Sequence, residues 1–229
     1  MTQAARKVAI VFGYGPGIGH SVANKWSANG FRVALCSRTA SKLEDATKII
    51  PNSHAFPCDC SDAESVTSTI QSVESTLGEV DALLWNAGNG VFKKFDEISV
   101  ADFHQAMAVN VYGLLAATQV CIPKMKTKEN GGFVCVTGAT ASLRGMPFTS
   151  CFAAAKAAQL SLSQSIARQV WKDGVHVTYN IIDAAVGKGE GKMNPDSIAN
   201  EYWHLSQQSS DCWTFKNHIQ RSGSDMALL

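Results

Sequence analysis

Near the N-terminus, Val8-Ala9-Ile10-Val11-Phe12 runs into Gly13-Tyr14-Gly15-Pro16-Gly17-Ile18-Gly19, which has four glycines in seven positions. Nothing else in the chain restricts its fold as much. The apolar run reads as a buried strand. Residues 21–28 read as a helix, with Val22, Ala23 and Trp26 at helical spacing. A strand, a glycine turn and a helix in succession leave the first N–H groups of the helix unpaired and suited to a phosphate. Gly13 can take the tight turn. Gly17 and Gly19 remove β-carbons that would hold a pyrophosphate, and the neighbouring strand, at a distance. A plain glycine-rich loop is the alternative, and the flanking strand and helix weigh against it.

At 229 residues the chain suits one well-buried domain, and no repeat or low-complexity linker divides residues 1–229. Apolar residues make up 45% and charged residues 17%, as in an ordinary globular protein. A net charge of +1 gives no electrostatic case for nucleic acid or an anionic membrane. Uninterrupted apolar runs fall short of the ~18 residues a membrane span needs. The basic start Met1 to Lys7 leads into an apolar stretch too short for a signal-peptide core, so a cytoplasmic location is expected. Seven cysteines at irregular spacing read as reduced thiols. Cys58-Asp59-Cys60 fits neither a zinc knuckle nor a Cys-x-x-Cys redox pair, so no metal is expected.

The rest of the chain alternates strands and helices. A strand over 31–36 ends at Ser37-Arg38, about twenty residues past the glycine turn, where a dinucleotide fold reads the adenosine ribose. No carboxylate stands there to accept from a 2′-hydroxyl. Arg38 can pair with a 2′-phosphate and Ser37 can donate to it, so the pattern favours NADP over NAD. An arginine that simply faces solvent is the other reading. A helix over 40–50 and a strand over Ser53–Pro57 follow. Ser61 with Glu64 reads as a capping box for a helix that stops at Gly78. Strand Val80–Trp85 delivers a second glycine-rich turn, Asn86-Ala87-Gly88-Asn89-Gly90. Val100–Met125 reads as one long apolar helix with Asn110 in its middle. Strands over 133–137 and 175–182, a loop over 138–146, helices over 149–171 and 195–207, and a last strand over 213–215 complete the count. Six or seven strands alternating with helices predict a single doubly wound, Rossmann-type α/β domain with a parallel sheet.

These ordered motifs resemble the short-chain dehydrogenase/reductase family along the whole chain. The Gly-x-x-x-Gly-x-Gly turn is Gly13, Gly17, Ile18 and Gly19, with Tyr14 and Gly15 inside it. Asp59, beside Cys60, is similar to the aspartate that contacts adenine. Asn86-Ala87-Gly88 is the Asn-Ala-Gly motif, and Asn110 matches the helical asparagine that stabilises a kink and a bound water. Lys156 matches the family lysine, which also bonds the nicotinamide ribose, and Val186 matches the residue whose backbone holds the carboxamide. The resemblance implies NADP(H), a small carbonyl or alcohol substrate, and pairing into a homodimer or homotetramer through the two long helices.

The departures fall on the carbonyl end. The family's proton donor is a tyrosine four residues before the lysine, and here that position is Phe152. The serine thirteen residues earlier is Ala139. Phenylalanine keeps the shape of tyrosine and has no proton to give. Loss of a general acid costs on the order of 10²–10⁴ in rate. Loss of an oxyanion donor costs ~10²–10³. Ser142, Thr140, Cys151 and Ser150 lie nearby, and core or surface roles suit each better than acid catalysis. Asp183-Ala184 replaces the family's Pro-Gly, Lys188 stands where threonine is usual, and the lid from Gly187 to Asn194 is short. The expectation is therefore an NADP(H)-dependent oxidoreductase with a degenerate site. The alternative is a non-catalytic relative that binds NADP(H) as a sensor or interaction protein.

Overall fold

The computed structural model describes residues 6–222. Seven parallel strands form one sheet in the order β3-β2-β1-β4-β5-β6-β7. They are β1 (Val8–Phe12), β2 (Arg32–Ser37), β3 (Ser53–Pro57), β4 (Val80–Trp85), β5 (Gly132–Ala139), β6 (Val175–Asp183) and β7 (Lys216–Gln220). All five residues of β1 and all nine of β6 are buried, as a parallel sheet covered on both faces demands.

The pleat sorts β1 between two cores. Ala9 and Val11 face Val22 and Trp26 of α1 (Ile18–Ala28), Leu43 of α2 (Ala40–Thr47), and Ile198 and Tyr202 of α7 (Pro195–Ser206). Ile10 and Phe12 face Val66, Ile70 and Val73 of α3 (Ala63–Leu77) and Leu114 and Cys121 of α5 (Gly113–Met125), beside α6 (Ser150–Val170). The chain leaves β1 toward β2 and returns on its other side as β4. That reversal opens a crevice at the carboxyl ends of β1 and β4, where a doubly wound sheet binds its ligand.

Several expectations are corrected. The cap of α3 is Asp62, whose side chain accepts from the Glu64 N–H at 2.9 Å, because Ser61 is engaged elsewhere: its N–H and hydroxyl both donate to Asp59. The last strand is Lys216–Gln220 instead of 213–215. The ring of Trp213 stacks on His176 at 4.7 Å and its indole N–H donates to the Gln208 carbonyl, which holds this stretch off the ladder. The polar strand that follows pairs with β6 through Asn180 and Asp183. β5 continues through Ala139 before a single 3₁₀ turn (Thr140–Ser142) closes what reads as a loop.

The long apolar helix is in two pieces. α4 (Val100–Met107) and α5 are joined by a π turn, Ala108–Tyr112. Asn110 causes the widening: its side-chain amide donates to the Ala106 carbonyl four residues back, taking a place in the helical ladder. By length and averaged composition Val100–Met125 is apolar enough to cross a membrane, longer than its uninterrupted runs imply, but 56% of its most apolar window is buried in the fold. All seven cysteines are free thiols, six of them buried and Cys212 exposed.

Candidate functional site

A cleft of about 290 Å³ opens above β1, β2 and β4. It brings together Gly13, Tyr14, Ser37, Arg38, Asp59, Cys60, Asn86, Ala87 and Gly88, residues drawn from four separate loops. Cys58, Asn89, Gln105 and Val109 also line it, and sequence reasoning missed them as site residues: Gln105 and Val109 reach it from α4 and the π turn, where Asn110 alone carries a motif. Gly15 and Gly17 line a neighbouring groove of about 590 Å³ with Lys42, Lys188 and Asp196. Tyr14 borders both. Ile18 packs toward the α1 core instead of facing either.

The glycines of the turn have different jobs. Gly13 has φ +78°, and a Cβ there would stand 2.5 Å from the Ala87 nitrogen. Its N–H donates to the Cys36 carbonyl and its own carbonyl accepts from the Asn86 amide at 2.9 Å, tying β1, β2 and β4 together. A Cβ on Gly19 would meet the Gly13 carbonyl at 2.7 Å, so Gly19 lets α1 close on the turn. Gly17 differs from both. A Cβ there meets nothing within 4 Å, and Gly17 offers no side-chain cap to α1. Uncapped helical N–H groups beside clear space form a cradle that fits an anionic group. The residues present therefore suit a pyrophosphate.

At the adenosine end, Ser61's N–H and hydroxyl hold the Asp59 carboxyl below its ordinary range, with the Arg38 charge a smaller help. Both of these bonds fall on Oδ1. Arg38 is exposed at the rim, beside Ser37. Hydrogen bonding with Cys60 pulls the Cys58 thiol down and pushes the Cys60 thiol up.

The other end of the cleft is built differently. Lys156 is buried on α6 and its Nζ donates to the Thr137 carbonyl and to Gln159 Oε1, each at 2.9 Å. Both acceptors are uncharged, and burial lowers the ammonium pKa to about 7. Asn110 Nδ2 donates to the carbonyls of Ala106 and Asn89, which fixes the amide orientation and leaves buried Oδ1 without a partner among the described residues. A Cβ on Gly88 would lie 3.3 Å from Asn110 Oδ1 and 3.6 Å from Lys156 Nζ, so these two groups converge on the floor of the cleft at its second glycine turn.

Phe152 presents its ring 6.0 Å from Lys156 Nζ and packs against Phe92 at 5.4 Å. Ala139, at the end of β5, offers a methyl group and a carbonyl, and Ser142 donates its hydroxyl to that carbonyl at 2.7 Å. Cys151 is buried against Ala106 and Ala155, on the side of α6 that meets α4. Tyr14 bonds His20, and Tyr179 donates to the Lys156 carbonyl. The hydroxyls of Tyr14, Ser142 and Tyr179 are thus each engaged by a protein partner. The segment after β6 folds back on itself: Val186 bridges Met193, with Gly187 N–H donating to the Met193 carbonyl and Met193 N–H to that of Ala185. Asp183 is buried and accepts from His218 Nε2 and Gln220 Nε2, each at 3.1 Å, so it clips β6 to β7.

Comparison with known proteins agrees with this arrangement. The family model for short chain dehydrogenases matches residues 7–188. An uncharacterized oxidoreductase of Staphylococcus aureus is 26% identical over 223 residues, covering 92% of this chain and 95% of that protein. A short-chain dehydrogenase from Rhodopseudomonas palustris superposes with TM-score 0.86 at 27% identity, over 96% of this chain and 100% of that one. An alcohol dehydrogenase from the archaeon Thermococcus sibiricus, solved with 5-hydroxy-NADP, gives TM-score 0.85 at 26% identity over the same shares. The seven-stranded parallel sheet, the two glycine turns at its crevice and the family match lead to one conclusion: the chain belongs to the short-chain dehydrogenase family.

Proposed function

We propose that this protein is an NADP(H)-dependent short-chain oxidoreductase whose carbonyl end has lost its own proton donor. The observation that carries the reading is the contrast at Gly17 and Phe152: open space at an uncapped helix N-terminus, and a phenyl ring where an acid belongs. In this reading α1 takes the pyrophosphate, Asp59 the adenine, and Ser37 with Arg38 the 2′-phosphate. Asn86, Ala87 and Gly88 leave room for the sugar, and Lys156 and Asn110 Oδ1 meet its hydroxyls. The Val186 backbone lies on the carboxamide side. When bound, the dinucleotide supplies or accepts the hydride. The chain's residues then orient a small carbonyl between Phe152 and Ala139, and the proton comes from solvent through the short, self-folded lid. Phe92 and Phe152 make that mouth apolar, which suits an aryl or alkyl carbonyl. Burial of Lys156 and Asn110 serves positioning here, with no acid role.

A second reading rests on the same phenyl ring and methyl group: the chain binds NADP(H) and turns nothing over, as a sensor or interaction protein. In both readings we place the protein in the cytoplasm and pair two copies through the outer faces of α4, α5 and α6, where Phe103, Tyr112 and Leu115 are exposed. Light scattering that gives a monomer mass removes the pairing.

Fluorescence titration with NADPH beside NADH tests the cofactor reading. Micromolar NADPH binding, weaker NADH binding and loss of the preference in Arg38→Ala are expected; binding of neither ends both readings. A panel of carbonyls and alcohols then separates them, since turnover lost in Lys156→Ala belongs to the enzyme and none above buffer to the sensor.

A further inference from the structure

Gln159 is fully buried in an otherwise alanine-rich stretch of α6, and a buried amide is costly unless its hydrogen-bonding groups are used. Here they are used on both sides. Nε2 donates to the backbone carbonyl of Asn110 at 2.7 Å, and Oε1 accepts from Lys156 Nζ at 2.9 Å. The orientation is forced, because only the NH₂ can face a carbonyl and only the oxygen can face an ammonium. The Asn110 carbonyl is within reach because the π turn opens the ladder at that point. One amide thus joins the π turn to α6, and through Lys156 to the Thr137 carbonyl of β5.

We propose that Gln159 is the positioning residue for Lys156: its amide holds the ammonium against β5 and closes the inner route by which that group could exchange a proton. The inference rests on the reading above that Lys156 serves the dinucleotide. A hydroxyl or a water accepts and donates through one atom and can pass a proton along. An amide accepts on oxygen and donates from a nitrogen that does not give its proton up, so the bridge fixes geometry without conducting. Lys156 then exchanges protons only toward the cleft, at Gly88. Every neighbour of the ammonium agrees with this. From β5 it meets the Thr137 carbonyl, from its own helix Gln159 and the Phe152 ring, and Asn110 Oδ1, on the π turn, lies across Gly88 from it. From β6, Tyr179 donates to the Lys156 carbonyl, away from Nζ. No charged group contributes, and burial alone lowers the affinity of Nζ for its proton.

The test reads Lys156 directly. Lysine labelled with ¹³C in the intact chain, with the Lys156 signal assigned by its loss in Lys156→Met, is titrated by NMR without dinucleotide. The midpoint of Lys156 is expected to fall by about one pH unit in Gln159→Leu, which removes an acceptor, and to rise by about one unit or more in Gln159→Glu, which adds a facing charge. NADPH affinity measured across pH moves its midpoint in the same two directions. A merely structural glutamine would weaken binding uniformly and leave the midpoints in place, and unmoved midpoints in folded variants overturn the proposal. If Gln159→Leu does not fold, Gln159→Glu, of equal length, decides. If neither folds, hydrogen exchange of the Gln159 side-chain amide in the unaltered protein decides: slow exchange supports the clamp and exchange at the solvent rate overturns it. Shifted NMR midpoints without any NADPH binding would sink the dinucleotide reading and leave the clamp standing.

Discussion

The two ends of the cleft are made of opposite materials. The end above β1 and β2 is assembled from glycines, backbone groups and exposed polar side chains, and it has room: a Cβ at Gly15 or Gly17 would touch nothing. The end above β5 is filled. Phe152 and Ala139 have only carbon in their side chains, Ser142 spends its hydroxyl on the Ala139 carbonyl, and Lys156 is held by two protein acceptors. Binding and chemistry are therefore separable in this fold. In the reading proposed above, one end stays suited to its ligand while the other, lined by Phe152 and Ala139, has lost its reactive groups.

The sharpest way to break that contrast is to refit the filled end. Phe152→Tyr with Ala139→Ser should raise NADPH-dependent carbonyl reduction by ~10²–10⁴-fold, since it restores an acid beside a lysine one helical turn away. If the unaltered protein already matches the double variant in a steady-state assay, the filled end is not a deficit at all.

Two glycines sharpen the other end. Gly13→Ala should lower thermal stability and abolish NADPH binding together, because the left-handed backbone alone costs ~1–2 kcal/mol and the added methyl strikes the Ala87 backbone. Gly17→Ala should leave the melting curve in place and weaken NADPH alone. Equal loss of stability in both would erase the distinction between a glycine the fold needs and one the ligand needs. Arg38→Ala should reduce the preference for NADPH over NADH by about 10- to 100-fold, the worth of a charge-assisted phosphate contact, and an unchanged ratio of dissociation constants would remove Arg38 from the site.

One effect is read without any ligand and concerns stability. Folding lowers the Lys156 ammonium to about 7 from the 10.5 of an exposed lysine, so between those values the unfolded chain carries a proton that the folded chain has released. Stability should therefore rise with pH through that window by up to ~1.4 kcal/mol per unit, and below pH 7 the burial cost is present in full. Denaturant titrations of the unaltered protein and Lys156→Met at pH 7 and pH 9 isolate the term. A difference that stays constant between the two pH values means Lys156 is not held in an apolar site.

What the sequence made legible was local. The strand, turn and helix around Gly13 announce themselves because each step is enforced by neighbouring residues, and the Asn86-Ala87-Gly88 turn does so for the same reason. Family resemblance then located Asn110, Phe152 and Lys156 by spacing. Less visible was whatever depends on competition between distant groups. Ser61 looks like a cap until Asp59 claims it. Residues 213–215 look like a strand until the Trp213 ring finds His176. Gln159 looks like an ordinary polar residue in a helix, and only the folded chain shows its amide between Asn110 and Lys156. Asp183 acquires its meaning in the same way, from His218 and Gln220 some thirty-five residues further on.

The ends of the sheet carry a last consequence. An open parallel sheet has two exposed borders, and each is a template on which another chain could polymerise. Here one border is β3, five residues long and finishing in Pro57, which has no N–H to offer. The other is β7, with an exposed lysine at its start and the side chains of His218 and Gln220 drawn back onto Asp183. Short length, proline and charge are how soluble sheets keep from growing into fibrils. Both described borders thus disfavour edge-to-edge growth, and the clip at Asp183 draws polar side chains of the β7 border inward as well as joining two strands.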